Sequence, residues 1–183
     1  MAEHEELKEA FVSEVPKYDG KVFSVGLRVV RLPSGREADR ELVYHKGAAA
    51  VVPVDGHGMV TLVRQYRVAH DAVMLEIPAG KLDSATEDPL ACAHRELLEE
   101  TGLKASRMEL LTRMIPTPGY CTEFVNIYLA TGLTEGCADP DEDEFLSVER
   151  MPLQTAAERV MRGELGDAKT AIGLLMAARL LCR

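Results

Sequence analysis

Apolar positions fall into two periods along the chain. Short runs rich in β-branched and aromatic residues dominate residues 21–66 and 107–150, and the helical spacing appears around residues 88–102 and again after 152. Residues 3–14 are charged and read as a short helical lead. Lys21–Leu32 (KVFSVGLRVVRL) reads as a strand, Pro33-Ser34-Gly35 as a turn and Arg40–His45 as the returning strand of a hairpin. Gly47–Val54 (GAAAVVPV) is almost continuously apolar, as expected of a central strand covered on both faces. Asp55–Gly58 is a turn, and Met59–Tyr66 is the next strand, predicting a second hairpin with Gly47–Val54. Arg107–Ile115, Thr122–Ala130 and Phe145–Arg150 read as further strands. Two closing helices are expected, one carrying Leu153, Ala156, Ala157, Val160 and Met161 inward, the other Ile172, Leu175, Met176 and Leu180.

The helix between them carries the chemistry. In Gly80–Leu103 (GKLDSATEDPLACAHRELLEETGL), Glu96, Glu99 and Glu100 stand at i, i+3 and i+4, so all three carboxylates share one side of a helix, with Glu87 nearby. Like charges at this spacing repel, which a divalent cation among them would offset, and an all-oxygen set suits Mg²⁺ or Mn²⁺ better than zinc. Leu90, Ala91, Leu97 and Leu98 would form the buried stripe opposite, leaving the acidic side outward or lining a cleft. Thr86 or Asp88 can cap the start, with Pro89 in the first turn and Gly102 just past the end. Arg64 and Arg67 end their strand with two guanidiniums suited to gripping phosphate oxygens.

From Glu87 onward the chain matches E-x7-R-E-U-x-E-E-x-G-U at Glu87, Arg95, Glu96, Leu97, Glu99, Glu100, Gly102 and Leu103. It thereby resembles the Nudix hydrolases. One departure is an extra residue between Gly80 and Glu87, placed in the loop around 83–86. Pro118, sixteen residues beyond Gly102, resembles a marker of the ADP-ribose pyrophosphatase branch. The resemblance implies an α+β fold: an α/β/α sandwich with a mixed central sheet (47–183), preceded by a small N-terminal antiparallel sheet (1–46) on the dimerisation and adenine side.

It also implies roles. Glu96 and Glu100, supported by Glu87 and the Ala79 carbonyl, would hold Mg²⁺ or Mn²⁺. Arg95 and Glu99 would act beside them, with Arg95 orienting the glutamates. The catalytic base would come from the acidic loop 133–144, as Glu142 or Glu144, unless that loop is a solvated connector. Arg64, Arg67, Glu76, Leu82, Pro118 and Glu123 are the expected substrate-side residues, Glu76 being either that or a structural partner for a nearby arginine. Phe23 or Tyr18 would stack on adenine, since the chain has no Trp. The implied reaction is metal-dependent cleavage of the diphosphate of ADP-ribose to AMP and ribose 5-phosphate. The alternatives are GDP-mannose or another nucleoside diphosphate as substrate, or a non-catalytic ADP-ribose sensor.

Composition narrows this further. A formal charge of −9 argues against a nucleic-acid partner and requires a polyanionic substrate to be met locally by cations. Cys92, Cys121, Cys137 and Cys182 show no paired spacing, so neither zinc nor a disulfide framework is signalled. Met1–Ala10 lacks the apolar core of a signal peptide, and no run approaches 18 apolar residues, so neither membrane insertion nor export is expected. A cytoplasmic homodimer is the expectation.

Overall fold

The computed structural model describes residues 4–84, 86–137 and 145–181. Among the described residues ten strands and three α-helices run in the order β1 (Ala10–Asp19), β2 (Phe23–Arg31), β3 (Glu37–His45), β4 (Ala48–Pro53), β5 (Met59–Arg67), β6 (Ala72–Glu76), β7 (Ala79–Lys81), α1 (Pro89–Thr101), β8 (Leu103–Met114), β9 (Val125–Glu135), β10 (Leu146–Pro152), α2 (Leu153–Met161) and α3 (Ala168–Leu181). They divide into two compact units, residues 1–46 with 115–123, and residues 47–114 with 124–183.

The first unit is an antiparallel sheet in the order β1-β2-β3. The pattern predicts a hairpin here, and β2 and β3 form it, pairing Phe23 with His45 through to Arg31 with Glu37. The expected helical lead is instead a single 3-10 turn, Glu5–Leu7, followed by the ten-residue β1. That strand is exposed along nearly its whole length, so it lacks the half-buried alternation by which strands are recognised. The segment 115–123 joins this unit through its backbone: Val43 N–H donates to the Tyr120 carbonyl at 2.7 Å and Thr122 N–H to the Val43 carbonyl at 2.9 Å.

In the second unit a mixed sheet, β7-β4-β9-β8, lies between two cores. β4 runs parallel to β9 and antiparallel to β7. Its residues alternate: Ala49 and Val51 face α1 with Leu82, Cys92, Leu97 and Tyr128, whereas Ala50, Val52 and Val54 face a larger core shared with β5, β6, β10, α2 and α3. This two-sided burial is why the strand reads as continuously apolar. The expected β4–β5 hairpin does not form. β4 and β5 meet at one bridge, Val54 to Val60, after which β5 enters a separate antiparallel sheet, β10-β5-β6. Asp55 makes this turn, its Oδ1 accepting from His57 N–H at 2.8 Å and Met59 N–H at 2.9 Å.

The two closing helices form where expected, but their buried faces differ from the pattern. Met161 is exposed on α2. In α3 the large residues Leu175 and Leu180 are exposed, and Gly173, Leu174, Ala177 and Ala178 face the sheet. Small side chains let the helix approach closely, so hydrophobicity alone points to the wrong stripe.

Candidate active site

The acidic helix α1 starts and stops on local signals. Asp88 is its N-cap, accepting from Leu90 N–H at 3.0 Å; Pro89 occupies the first turn, and Gly102 closes the helix at φ 69°. The side that it buries carries the charges. Glu96 and Glu100 are 6% and 5% exposed, interleaved with buried Cys92, Ala93 and Leu97, whereas Leu90 and Ala91, expected inward, face out. A helix buries carboxylates only where they gain compensating partners.

Strand β7 supplies one of them and Arg95 another. Ala79 N–H donates to Glu100 Oε2 at 3.0 Å. Glu96 lies against the backbone of Gly80, where any Cβ would stand 2.0 Å from Glu96 Oε1. Arg95 sits among the carboxylates: its Nη1 donates to Glu96 Oε1 at 2.7 Å and to Glu99 Oε2 at 2.9 Å, and its Nη2 donates to the Lys81 carbonyl at 3.2 Å and lies 3.6 Å from Glu87 Oε1. Burial alone would lower the Arg95 pKa, but the Glu96 charge and the Glu99 hydrogen bond hold it above its ordinary value. Glu87 reaches back to accept from Asp83 N–H at 2.6 Å, and its own N–H donates to the Ser84 carbonyl. Gly80 and Glu87, on either side of the loop with the extra residue, thus both lie against α1. Burial pushes the Cys92 thiol up to about 12, with the Glu96 charge adding to it, so this buried cysteine is a packing residue.

A second charged group lies at the ends of β5 and β6. Arg67 Nε and Nη2 donate to Glu76 Oε1 and Oε2 at 2.8 and 2.9 Å, and Lys169 Nζ donates to the same Oε2. Burial would raise the Glu76 pKa, yet the Arg67 hydrogen bonds and the Lys169 charge outweigh it and hold the carboxyl at about 2. The Arg67 pKa is raised, first by its hydrogen bond to Glu76 and in smaller part by the Glu100 charge. Glu76 is thus paired with an arginine and a lysine in this structure.

Glu87, Arg95, Glu96, Glu99 and Glu100 are thus gathered around Ala79 and Gly80, with Arg67 nearby. Arg64 is turned elsewhere, its Nη2 2.6 Å from Glu149 Oε2 on β10. Leu82 packs into the core beneath α1. Pro118 and Glu123 belong to the first unit, where Glu123 lies 3.6 Å from His45 Nδ1. Tyr18 and Phe23, in that same unit, pair their rings at 5.6 Å. Glu142 and Glu144 lie outside the described residues, as does Cys182. Sequence reasoning passed over Lys169 and Thr170 and took Asp167 only as the cap of α3, a place it does hold, accepting from Thr170 N–H at 3.0 Å. The available signal was a lysine in the first turn of α3, where a cation opposes the helix dipole.

The family model described as NUDIX domain matches residues 43–170. The chain belongs to the Nudix family. An ADP-ribose pyrophosphatase of Bacillus subtilis (strain 168) is 38% identical over 170 residues, 92% of this chain and 91% of that protein. An ADP-ribose pyrophosphatase of Mycobacterium tuberculosis (strain H37Rv) is 40% identical over 177 residues, 96% of this chain and 84% of its own. A crystal structure described as an ADP compounds hydrolase superposes with a TM-score of 0.83 at 23% identity, covering 96% of this chain and 95% of its own, and so shares the fold. In Nudix terms, the box of this chain is the α1 segment with its glutamates turned toward β7.

The donors present fit a hard divalent cation. Glu96 and Glu100 are buried carboxylates, Glu87 and Glu99 lie beside them, and Arg95 is the guanidinium placed between three of the four. Among the described residues no three acidic, His or Cys side chains converge on one ready-made cage. The geometry gives the reason: Glu96 and Glu99 are drawn to Arg95, and Glu100 to the Ala79 amide.

Proposed function

We propose that this Nudix hydrolase cleaves the diphosphate of ADP-ribose, releasing AMP and ribose 5-phosphate. The observation that carries this is 38–40% identity, over more than nine-tenths of the chain, to two proteins described as ADP-ribose pyrophosphatases, together with the complete box folded against Ala79 and Gly80. Glu96, Glu100 and the Ala79 carbonyl would hold Mg²⁺, or Mn²⁺, with Glu87 and Glu99 in support. When bound, the cation supplies positive charge against the non-bridging oxygens as the P–O bond breaks. Arg95 holds the Glu96 and Glu99 carboxylates in place through charge-assisted hydrogen bonds from Nη1. Arg67 grips a phosphate oxygen beside Glu100. Glu142, or Glu144, takes the proton of the attacking water, and Pro118 and Glu123 contribute to the substrate side.

The same reading includes a cytoplasmic homodimer formed through the N-terminal sheet. Phe11, Val15 and Tyr18 are exposed on β1, which supports it, and no helix among the described residues is long and apolar enough to cross a membrane. A monomer in equilibrium sedimentation overturns the dimer.

The test of function is turnover with Mg²⁺ across ADP-ribose, GDP-mannose, NADH, diadenosine polyphosphates and a nucleoside triphosphate, with a metal-free control. Preferential release of AMP from ADP-ribose, lost without metal, is the expected result. Preference for another substrate overturns the substrate assignment. Binding of ADP-ribose without turnover of any of them makes the chain a sensor.

A further inference from the structure

Glu76 is 2% exposed and yet carries two cations, neither of them from the box. Around it Lys169 Nζ also donates to Asp167 Oδ2 at 2.9 Å, and Thr170 Oγ1 donates to the same oxygen at 2.5 Å. Two carboxylates and two cations make a group of zero net charge. Buried groups of this kind are weak sources of stability, and well-packed apolar residues often serve as well. Here the group also bears on the geometry of Arg67.

The bidentate pair engages Nε and Nη2 of Arg67, leaving the Nη1 edge outside it, and the side chain stays 37% exposed. A half-exposed arginine samples many rotamers unless something fixes it. Two parallel hydrogen bonds to a rigid carboxylate fix the plane of its guanidinium. Glu76 is rigid because Lys169 holds it from α3, 93 positions further along the chain. The same helical turn holds the neighbouring backbone, since Thr170 Oγ1 accepts from Ile77 N–H at 3.0 Å. Two residues on, Ala79 meets Glu100.

We propose that Lys169 and Glu76 are positioning residues for substrate. Lys169 fixes Glu76, Glu76 fixes the guanidinium plane of Arg67, and Arg67 presents its remaining edge to a phosphate of a nucleoside diphosphate beside Glu100. This rests on the diphosphate-hydrolase reading above. A loosened Arg67 weakens the grip on the ground state and transition state alike, so KM rises while kcat holds.

The experiment compares the full-length wild type with Lys169→Met, Lys169→Arg and Glu76→Gln, using ADP-ribose kinetics with Mg²⁺, calorimetric titration of ADP-ribose without metal, and thermal melts. Lys169→Met and Glu76→Gln are expected to raise KM about tenfold with kcat within about twofold, and to weaken the calorimetric Kd in parallel. Lys169→Arg is expected to restore both to within about threefold, because a cation still reaches Glu76. Unchanged KM and Kd in folded variants overturn the proposal, as does a fall in kcat alone or an Arg variant no better than Met. If Lys169→Met does not fold, Glu76→Gln decides by the same criteria. A wild type that binds ADP-ribose without cleaving it refutes the hydrolase reading alone, and the calorimetric comparison still judges the positioning chain.

Discussion

Replacing Gly80 with alanine separates the fold from the chemistry. The added Cβ would stand 2.0 Å from Glu96 Oε1, 2.1 Å from its carboxyl carbon and 2.4 Å from Oε2, where real Cβ atoms essentially never come within 3.0 Å. Something must therefore move by at least about 1 Å, and the carboxylate, at the end of a flexible side chain, gives way before the strand backbone does. No backbone strain arises, since Gly80 is not at positive φ. The stability cost should fall at the low end of the range for overpacking, about 1 kcal/mol. The rate should suffer more, because Glu96 leaves Arg95 and a misplacement of about 1 Å costs roughly 100-fold. The assay is AMP release from ADP-ribose with Mg²⁺, beside a thermal melt, with Gly56→Ala as the control because nothing lies within 4 Å of its added Cβ. Activity within about threefold of wild type in a folded Gly80→Ala protein, less than 1 kcal/mol of barrier, would refute the assignment of Glu96 to the reacting centre.

Three further outcomes are expected. The Glu76 pKa is depressed from 4.5 to about 2, so its contribution to stability is complete above about pH 4.5 and is lost as pH falls toward 2. At about 1.4 kcal/mol per unit this is up to roughly 3 kcal/mol, and urea midpoints of Glu76→Gln should show a flatter slope than wild type in that window. Arg64→Ala should leave KM for ADP-ribose nearly unchanged, because that side chain is committed to Glu149, whereas Arg67→Ala should raise KM at least tenfold; equal effects would refute the distinction. Asn126 is buried on β9 with its Nδ2 unpartnered among the described residues. Asn126→Leu should therefore raise Tm, reflecting about 1–3 kcal/mol of relieved desolvation, and a lowered Tm would show that the amide is hydrogen-bonded to water.

The box was legible because its information is local. Asp88, Pro89 and Gly102 bound one helix, and the spacing of Glu96, Glu99 and Glu100 fixes which side they share. Which side is buried was not legible, since hydropathy assumes that charge faces water, and Glu100 breaks that assumption through the Ala79 amide on β7 and Glu96 through Arg95. β4 was readable as central from its apolar run, yet its neighbour is β9, about 77 positions away from Ala48 in the pairing with Val125, and not the adjacent β5. Parallel pairing of this kind leaves no turn signal between the two strands. β1 was missed for the opposite reason: it is exposed on both faces, so no alternation marks it. In α3 the packing favours small residues, and Leu175 and Leu180, the best hydrophobes, are outside. Lys169 was passed over because its partner Glu76 is remote in sequence, although a lysine opening a helix is a departure from the usual placement of charge.

That distance bears on how the protein is made. Synthesis proceeds at about 5–20 residues per second, so Lys169 leaves the ribosome roughly 5–20 s after Glu76 does. For the later part of that interval the nascent chain carries the whole signature motif, but Glu76 and Arg67 have no lysine to hold them, and the Ile77 amide has no hydroxyl. A product cut short before residue 168 would keep every residue by which the motif is recognised and lack the grip on its substrate. On this account the hold on substrate is acquired only once residues 167–170 have been made and folded back onto Glu76.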